Sequence, residues 1–285
     1  MNIKRAKQLK VTSPDKTVSY GGNQEWFSSN TRSQGACGSI AGANCLRSLC
    51  LTNPDFHAKV SKARKIPGEY KDALLSSVPQ KDSFEYLMTG IYNTMGAVEL
   101  FPLNIIYDKK QRDNKFFNKI KPNQGLSNFG FIIGIIRFAR KHGLNLGVRS
   151  LPAAFLTKEN ARFFIEEGLN SSGAVVLLTS FNKHNARLYN AASDLNKKLS
   201  GGWDAAIKCH FTTITDIDND RLLITTWGKP AVIDFNELAG SWQSVKAYQS
   251  CLMYIFLSDK KESTRCMLSS FKLFLSCIVH CLIRR

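Results

Sequence analysis

The chain has 285 residues, of which 44% are hydrophobic and 21% are charged, with a formal net charge of +17. This balance excludes an intrinsically disordered protein, and the length suffices for one large domain or two small ones with a buried core. The positive charge predicts a surface that attracts anions. The basic residues are spread along the chain without a zinc-finger, RNA-recognition or phosphate-loop motif, so we expect no sequence-specific nucleic-acid partner.

Helix signals come early in the chain. The spacing of apolar residues predicts a helix that begins at Cys37 and further helices over 83–100, 126–144 and 157–169. After about residue 172 the pattern changes to short apolar and β-branched runs, which predict strands. These runs cover 173–181, 210–217, 221–228, 231–235 and 250–258.

The order of these elements predicts an α+β fold with two lobes. The helical lobe covers about 20–172 and the β lobe about 173–258, and together they form a domain over 1–258. The second and third strand candidates flank Asp218, Asn219 and Asp220, a turn sequence that predicts a hairpin.

Residues 259–285 form a basic and apolar tail. The segment 266–283 is mostly apolar but contains Lys272 and His280, and it is slightly short of the ~20 apolar residues that cross a membrane. An interfacial helix, a membrane anchor with a snorkelling lysine and a helix packed on the domain all stay open. We expect packing rather than metal binding from the Cys-Ile-Val-His-Cys run inside it.

The eight cysteines show no Cys-x-x-Cys pair and no regular spacing. The N-terminal stretch is charged and has no apolar signal-peptide core. These features predict free thiols in the cytoplasm, most of them small buried residues, and a protein that associates weakly with membranes, if at all, through 266–283.

Cys37 stands where loop-like residues give way to helical periodicity. A helix N-terminus lowers the pKa of a thiol because its unpaired N–H groups and dipole favour the thiolate. Gly38 and the small residues after it would let a substrate backbone approach closely. From this stretch alone, Cys37 is either a nucleophile or a small residue that eases helix packing, whereas Cys45 and Cys50 are interpreted as packing residues.

A thiol nucleophile needs a base and an oxyanion site. Among the five histidines, only His210 begins a predicted strand, which would hold its ring on rigid backbone. The neighbouring strand could bring Thr225 or Thr226 close to this ring as its orienting group. Gln24 and Gln34 are the candidate side-chain donors to an oxyanion.

Together these motifs resemble those of papain-like cysteine peptidases, most closely the bacterial bacteriocin-leader (double-glycine) peptidase-like group. The resemblance is carried by the Gln-x-Trp element at Gln24, the Cys-Gly step at Cys37, the strand "HFTTITDID" that begins with His210, and the next strand, which ends in "TTWG". It covers roughly 20–50 and 173–257. The middle of the chain matches only in being helical.

The resemblance implies a two-lobed papain-like fold in which Cys37 is the nucleophile, His210 the general base and acid, and Gln24 the oxyanion donor. Gln34 is set aside because the plant-papain spacing from it would put the nucleophile at Ile40. The family's orienting Asp or Asn falls about where Thr225 stands.

This departure at Thr225 puts the rate in question more than the reaction type, because a Cys–His pair can act as a dyad. Asp216 and Asp218 are alternative orienting groups, but they follow the His210 strand at its far end.

The implied reaction is hydrolysis of a peptide or amide bond in a peptide or protein substrate through a Cys acyl-enzyme, without cofactor or metal. Two other functions stay open. One is a papain-like effector that acts on isopeptide, ubiquitin-like or host-protein substrates as a deubiquitinase, acyltransferase or deamidase. The other is a catalytically idle papain-like binding module.

Overall fold

The computed structural model describes residues 8–27, 36–95, 128–152, 155–179, 186–191, 210–242 and 250–266. These residues form helices and two antiparallel sheets, so the predicted α+β class is confirmed. The strands include a small hairpin near the N-terminus and a seven-stranded sheet with helices on both faces.

The helices agree with the sequence pattern where apolar periodicity was strong. The four predicted helices correspond to α1, α4, α5 and α6. The bounds are α1 (Cys37–Thr52), α2 (Pro54–Lys62), α3 (Gly68–Leu75), α4 (Lys81–Thr94), α5 (Asn128–Lys141), α6 (Lys158–Ser172) and α7 (Phe235–Trp242), with a 3-10 turn at Gln24–Trp26. Residues 260–266 are helical as well.

Helix α2, which the sequence did not predict, begins at an Asn-Pro step. Pro54 is its first residue, where the missing N–H of proline costs nothing. The Asn53 side chain caps the helix by accepting a hydrogen bond from the Phe56 N–H at 2.9 Å. The Asn-Pro step therefore starts a helix here instead of preventing one.

All five predicted strands are present in the large sheet. The small hairpin consists of β1 (Lys10–Thr12) and β2 (Val18–Tyr20), and the large sheet of β3 (Leu146–Pro152), β4 (Val175–Thr179), β5 (Tyr189–Asn190), β6 (His210–Asp218), β7 (Arg221–Thr226), β8 (Lys229–Asp234) and β9 (Cys251–Leu257). The order across the sheet is β3-β9-β4-β6-β7-β8-β5. Strand β3, which the sequence did not predict, extends this sheet from within the proposed helical lobe.

Two hydrophobic cores lie on the two faces of this sheet. One core joins α1, α4 and α5 to Val176, Leu178 and Phe211 of the sheet. The other joins α6 and α7 to Val175, Leu177 and Ile214. The alternation of neighbouring strand residues between the cores is what a sheet buried on both faces requires.

Helix α1 is buried on every side. Each residue from Cys37 to Cys50 is inaccessible or nearly so, whereas the sequence predicted one apolar face. The small residues of its first half make this possible: a Cβ added to Gly42 would lie 2.8 Å from Ile135 of α5. The helix is thus enclosed between the other helices and the sheet.

Within the described ranges, every helix is too short or too polar to cross a membrane. The predicted membrane-associated segment, 266–283, lies outside those ranges except for its first residue.

Candidate active site

Cys37 is the first residue of α1 and is buried, with 7% of its surface exposed. No side chain caps the helix at Ala36, and the first helical bond runs from the Ile40 N–H to the Ala36 carbonyl at 3.1 Å. The first N–H groups of an α-helix point out of its N-terminus rather than to a carbonyl one turn earlier. They provide the partial positive charge that stabilises a thiolate or an oxyanion.

His210 begins β6 and is also buried, with 8% of its surface exposed. Its Nε2 lies 2.8 Å from the Thr226 Oγ1. The Trp227 ring stacks on the imidazole at a centroid distance of 4.2 Å and an angle of 12°. This contact engages Nε2, so Nδ1 is the ring nitrogen that is left to exchange a proton with a thiol.

The hydroxyl at the His210 ring belongs to Thr226 and not to Thr225, the residue that the family resemblance indicated. Successive strand residues point to opposite faces of a sheet. Thr225 faces α1, where its Oγ1 accepts a hydrogen bond from the Asn44 Nδ2 at 3.4 Å. The residues alone allowed either threonine as the orienting group, and the sheet face on which each side chain lies shows that it is Thr226.

The turn between β7 and β8 is built from Trp227 and Gly228. Thr226 pairs with Lys229 across it, and both turn residues have positive φ, 49° and 71°, as a two-residue hairpin turn of this type requires. Glycine adopts this conformation freely, but for a bulky tryptophan it is an outlier. The strained residue is the one that covers His210, and strain of this kind concentrates at functional sites.

Gln24 is buried in a short 3-10 turn that packs on α4. The Asn23 side chain accepts a hydrogen bond from the Glu25 N–H at 3.1 Å and so begins the turn. The Trp26 ring lies edge-on to Phe84 of α4, with centroids 6.5 Å apart. These contacts explain the Gln-x-Trp spacing, because the tryptophan anchors the turn that carries the glutamine.

The loop before Gln24 contacts both α1 and the Trp227–Gly228 turn. A Cβ built on Gly22 would lie 3.2 Å from Ile40 Cγ2, in the first turn of α1. The Tyr20 N–H donates to the Gly228 carbonyl at 2.7 Å. The segment that carries Gln24 is therefore held between the start of α1 and the turn that covers His210.

Helix α1 runs in the same direction as β6. Near its C-terminal end, Thr52 packs directly against Gly173, two residues before Val175, which pairs with Ile214 of β6. Closer to the N-terminus, the Asn44 Nδ2 donates to the Thr213 Oγ1 at 3.2 Å. Two contacts in this order require that the helix and the strand begin at the same end of the sheet.

Cys37 and His210 are found at that common end. Cys37 precedes Asn44 by seven residues, which is roughly 10 Å along a helix. His210 precedes Thr213 by three residues, which is also about 10 Å along a strand. Cys37, His210 and Gln24 therefore lie toward one end of the sheet, with Cys37 on the face that packs on α1 and the His210 ring beside Thr226 and Trp227 on the other face.

Burial determines the charge states of the histidine and of the other α1 thiols. It lowers the pKa of His210 to about 3, so the imidazole is neutral at neutral pH. Burial raises the pKa of Cys50 to about 12 and raises that of Cys45 further. Both are packing residues, as predicted, and their thiols stay protonated.

The alternative orienting residues lie elsewhere. Asp216 and Asp218 are at the far end of β6, where Asp218 pairs with Arg221. Gln34 falls outside the described residues, as does the Cys-Ile-Val-His-Cys run of the tail. In the part of the chain that the structure describes, no group of three His, Cys, Asp or Glu side chains could hold a metal ion.

Sequence reasoning missed two residues of this region. Trp227 was part of a motif but had no role, although a tryptophan next to glycine in a hairpin turn is an unusual choice. Asn44 was not considered, although it is an amide among small and apolar residues in the middle of α1, seven positions after Cys37. No protein-family model and no curated protein matches the chain.

Proposed function

We propose that this protein is a thiol hydrolase that cleaves a peptide or amide bond through an acyl-enzyme on Cys37. The observation that carries the proposal is the environment of His210. Its ring is held by Thr226 and Trp227 at the end of the sheet where Cys37 begins a buried helix. Nucleophilic thiol catalysis needs a base with a fixed ring and a thiol at a helix N-terminus, and both groups stand at this end of the sheet.

The first step forms a thioester. With Nε2–H donating to the Thr226 Oγ1, the His210 Nδ1 carries the lone pair and takes the proton of the Cys37 thiol. The sulfur attacks the substrate carbonyl carbon and a tetrahedral oxyanion forms. When the carbon–nitrogen bond breaks, the imidazolium returns the proton to the leaving amine.

The second step regenerates the thiol. His210 removes a proton from a water molecule, which attacks the thioester carbonyl. The tetrahedral intermediate expels the Cys37 sulfur, which regains its proton from the imidazolium, and the acid product leaves. No cofactor enters either step.

Gln24 and the start of α1 supply the oxyanion site in this proposal. A backbone N–H of the first helical turn and the Gln24 side-chain amide would donate to the developing negative charge. The support is the packing of the Gln24 segment between Ile40 and Gly228. The uncapped N-terminus of α1 adds the favourable dipole.

The papain-like two-lobed architecture belongs to the same proposal. A buried helix that begins with the nucleophile, lies on an antiparallel sheet and starts level with a histidine strand agrees with that fold. Strand β3 and helix α7 depart from a clean division into a helical lobe at 20–172 and a β lobe at 173–258.

A peptide library tests the reaction. Wild-type protein is incubated with a mixture of peptides of diverse sequence, and new N-termini are identified by mass spectrometry. We expect cleavage products from the wild type and none from Cys37→Ala or His210→Ala, with Cys45→Ala as the control that retains them. Products that persist in Cys37→Ala would exclude this site.

One observation favours a second function, the catalytically idle binding module. The pKa of His210 is lowered to about 3, which makes the imidazole a weak base, and a threonine replaces the acid or amide that usually orients such a ring. An idle module would bind peptides without cleaving them. Peptide binding measured by fluorescence anisotropy, unchanged in Cys37→Ala and accompanied by no cleavage, would favour this function.

A further inference from the structure

Asn44 is a buried amide in the middle of α1, with 1% of its surface exposed. Its Oδ1 accepts a hydrogen bond from the Gly22 N–H at 3.1 Å. Its Nδ2 donates to the Thr213 Oγ1 at 3.2 Å and to the Thr225 Oγ1 at 3.4 Å. One side chain therefore connects the helix to the N-terminal loop, to β6 and to β7.

Each of these contacts lies close in sequence to a residue of the candidate site. Gly22 precedes Gln24 by two residues, and Thr213 follows His210 by three. Thr225 directly precedes Thr226 and Trp227, which hold the His210 ring. The three segments that Asn44 joins are the three that carry the other groups of the site.

Asn44 also has a defined relation to Cys37. Seven residues make almost two helical turns, so the two side chains leave α1 within about 20° of the same direction. A shift or rotation of α1 that moved Cys37 would have to break the hydrogen bonds of Asn44. The amide thus fixes the helix against the segments that carry Gln24 and His210.

We infer that Asn44 is the positioning residue that holds Cys37 level with His210 and Gln24, an inference that rests on the proposed thiol chemistry. An amide suits this place because it offers an acceptor for the Gly22 N–H and donors for two hydroxyls at once. The loop approaches so closely that a Cβ on Gly21 would lie 2.6 Å from the Asn44 Oδ1, and Gly21 has a positive φ of 84°.

A positioning role and a purely stabilising role of Asn44 predict different results when the amide is removed. A buried amide that only stabilised the fold would, when removed, lower the unfolding free energy and leave the chemistry of Cys37 unchanged below the melting temperature. A positioning amide changes the reactivity of Cys37 in protein that is still folded. Misplacement of reacting groups by about 1 Å can cost on the order of a hundredfold in rate.

The test measures the alkylation rate of Cys37 by iodoacetamide between pH 5 and pH 10, resolved by peptide mass spectrometry. The variants are Asn44→Leu, which removes all three hydrogen bonds, and Thr213→Val and Thr225→Val, which each remove one. Thr212→Val is the matched control. Thr212 lies on the same strand and is equally buried, but its hydroxyl has no hydrogen-bond partner within the described residues.

We expect Asn44→Leu to slow Cys37 alkylation at pH 7 by about tenfold or more, and to move the midpoint of its pH profile toward the ~8.5 of an ordinary thiol. Thr225→Val causes a smaller change, and adding it to Asn44→Leu causes no further change. Thr212→Val retains the wild-type profile. Circular dichroism and thermal melts establish that each variant is folded at the assay temperature.

The possible outcomes distinguish a failure of the positioning role from a failure of the proposed thiol hydrolase function. An unchanged Cys37 profile in folded Asn44→Leu overturns the positioning role and leaves the thiol hydrolase in place. If Asn44→Leu does not fold, unchanged profiles in both Thr213→Val and Thr225→Val overturn it. A wild-type Cys37 that reacts no faster than Cys50, or whose rate is unaffected by His210→Ala, overturns the proposed function and with it the role of Asn44.

Discussion

Two hairpin turns at opposite ends of β7 each begin with a residue of positive φ and differ in what they hold. The turn between β6 and β7 consists of Asn219 and Asp220, and the turn between β7 and β8 consists of Trp227 and Gly228. In each, the first turn residue has a positive φ, 53° for Asn219 and 49° for Trp227. Asparagine tolerates this conformation well, and tryptophan does not.

The surroundings of the turns explain the different residues. Asp220 is exposed and forms ion pairs with Lys158 at 3.0 Å and Arg162 at 2.9 Å, contacts that only attach a surface turn to α6. Trp227 instead stacks on the buried His210 ring. The comparison teaches that backbone strain is tolerated where the side chain holds the histidine, and avoided where the turn only links two strands.

The largest expected effect concerns the pH dependence of stability. Burial lowers the pKa of His210 to about 3, whereas an unfolded histidine titrates near 6.5. As pH falls below 6.5, the unfolded chain takes up a proton that the folded chain excludes, so this group destabilises the fold progressively down to about pH 3. Between pH 7 and pH 5 the loss is about 2 kcal/mol.

Urea denaturation of the wild type and His210→Gln at both pH values measures this loss. We expect the wild type to lose about 2 kcal/mol more unfolding free energy than the variant between pH 7 and pH 5. Asp220 acts in a lower range: hydrogen bonds from Asn236 and Lys158 lower its pKa, so its contribution is lost only as pH falls below the ordinary range of an aspartate. Equal pH dependence in both proteins would show that His210 titrates normally.

The next largest effect is expected from Trp227→Asn, which removes the ring that stacks on His210. Asparagine keeps the turn conformation, and relief of about 1 kcal/mol of backbone strain offsets the lost stacking of about 0.5–1.5 kcal/mol, but the contact of the indole with the core is also lost. We expect a moderate loss of stability and a loss of Cys37-dependent peptide cleavage, in protein that is still folded, on the order of a hundredfold, because the His210 ring is released. Asn219→Gly, the matching change in the other turn, leaves cleavage unchanged, and a parallel loss in both variants would remove the distinction between the turns.

A smaller effect follows from Thr226→Val. The change keeps the β-branched shape and removes the hydroxyl that bonds to the His210 Nε2. We expect cleavage to fall about tenfold, because the ring loses the partner that fixes its tautomer and orientation. Thr225→Ser, which retains a hydroxyl on the opposite sheet face, serves as the control. Full activity in Thr226→Val would mean that Trp227 alone holds the ring.

The smallest effect is expected from Asp220→Asn. The variant removes two exposed ion pairs, which contribute little and are screened by salt. Thermal melts at low and high ionic strength measure a small decrease in melting temperature that disappears at high salt. Peptide cleavage stays at the wild-type level, because the surface turn has no contact with His210.

The fold was predicted from sequence where local periodicity was strong, as in α1, α5 and the strands β4, β6, β7, β8 and β9. Strand β3 was missed because its "LGVRSLP" run lacks alternation and needs its partner β9 to become a strand. Helix α2 was missed because Asn53-Pro54 suits both a turn and a capped helix start. Propensity alone does not separate these outcomes.

The site could be predicted only in part for a related reason. Cys37 and His210 stand at element boundaries, which the pattern reveals. Which of Thr225 and Thr226 faces His210 depends on strand register, and a one-residue slip exchanges the two faces. A register shift between Ile214 and Asp216 has no sequence signal. Asn44 is recognisable only when the partners that it joins are known.

Contact between the Cys37 sulfur and the His210 ring is the central claim, and histidine NMR tests it most directly. Protein labelled with ¹³C at the histidine Cε1 is treated with methyl methanethiosulfonate, with Cys37→Ala treated identically as the control. We predict that blocking Cys37 shifts the His210 signal and leaves those of His57 and His142 unchanged, while Cys37→Ala shows no such shift on treatment. An unshifted His210 signal in protein whose Cys37 is fully blocked would contradict the account.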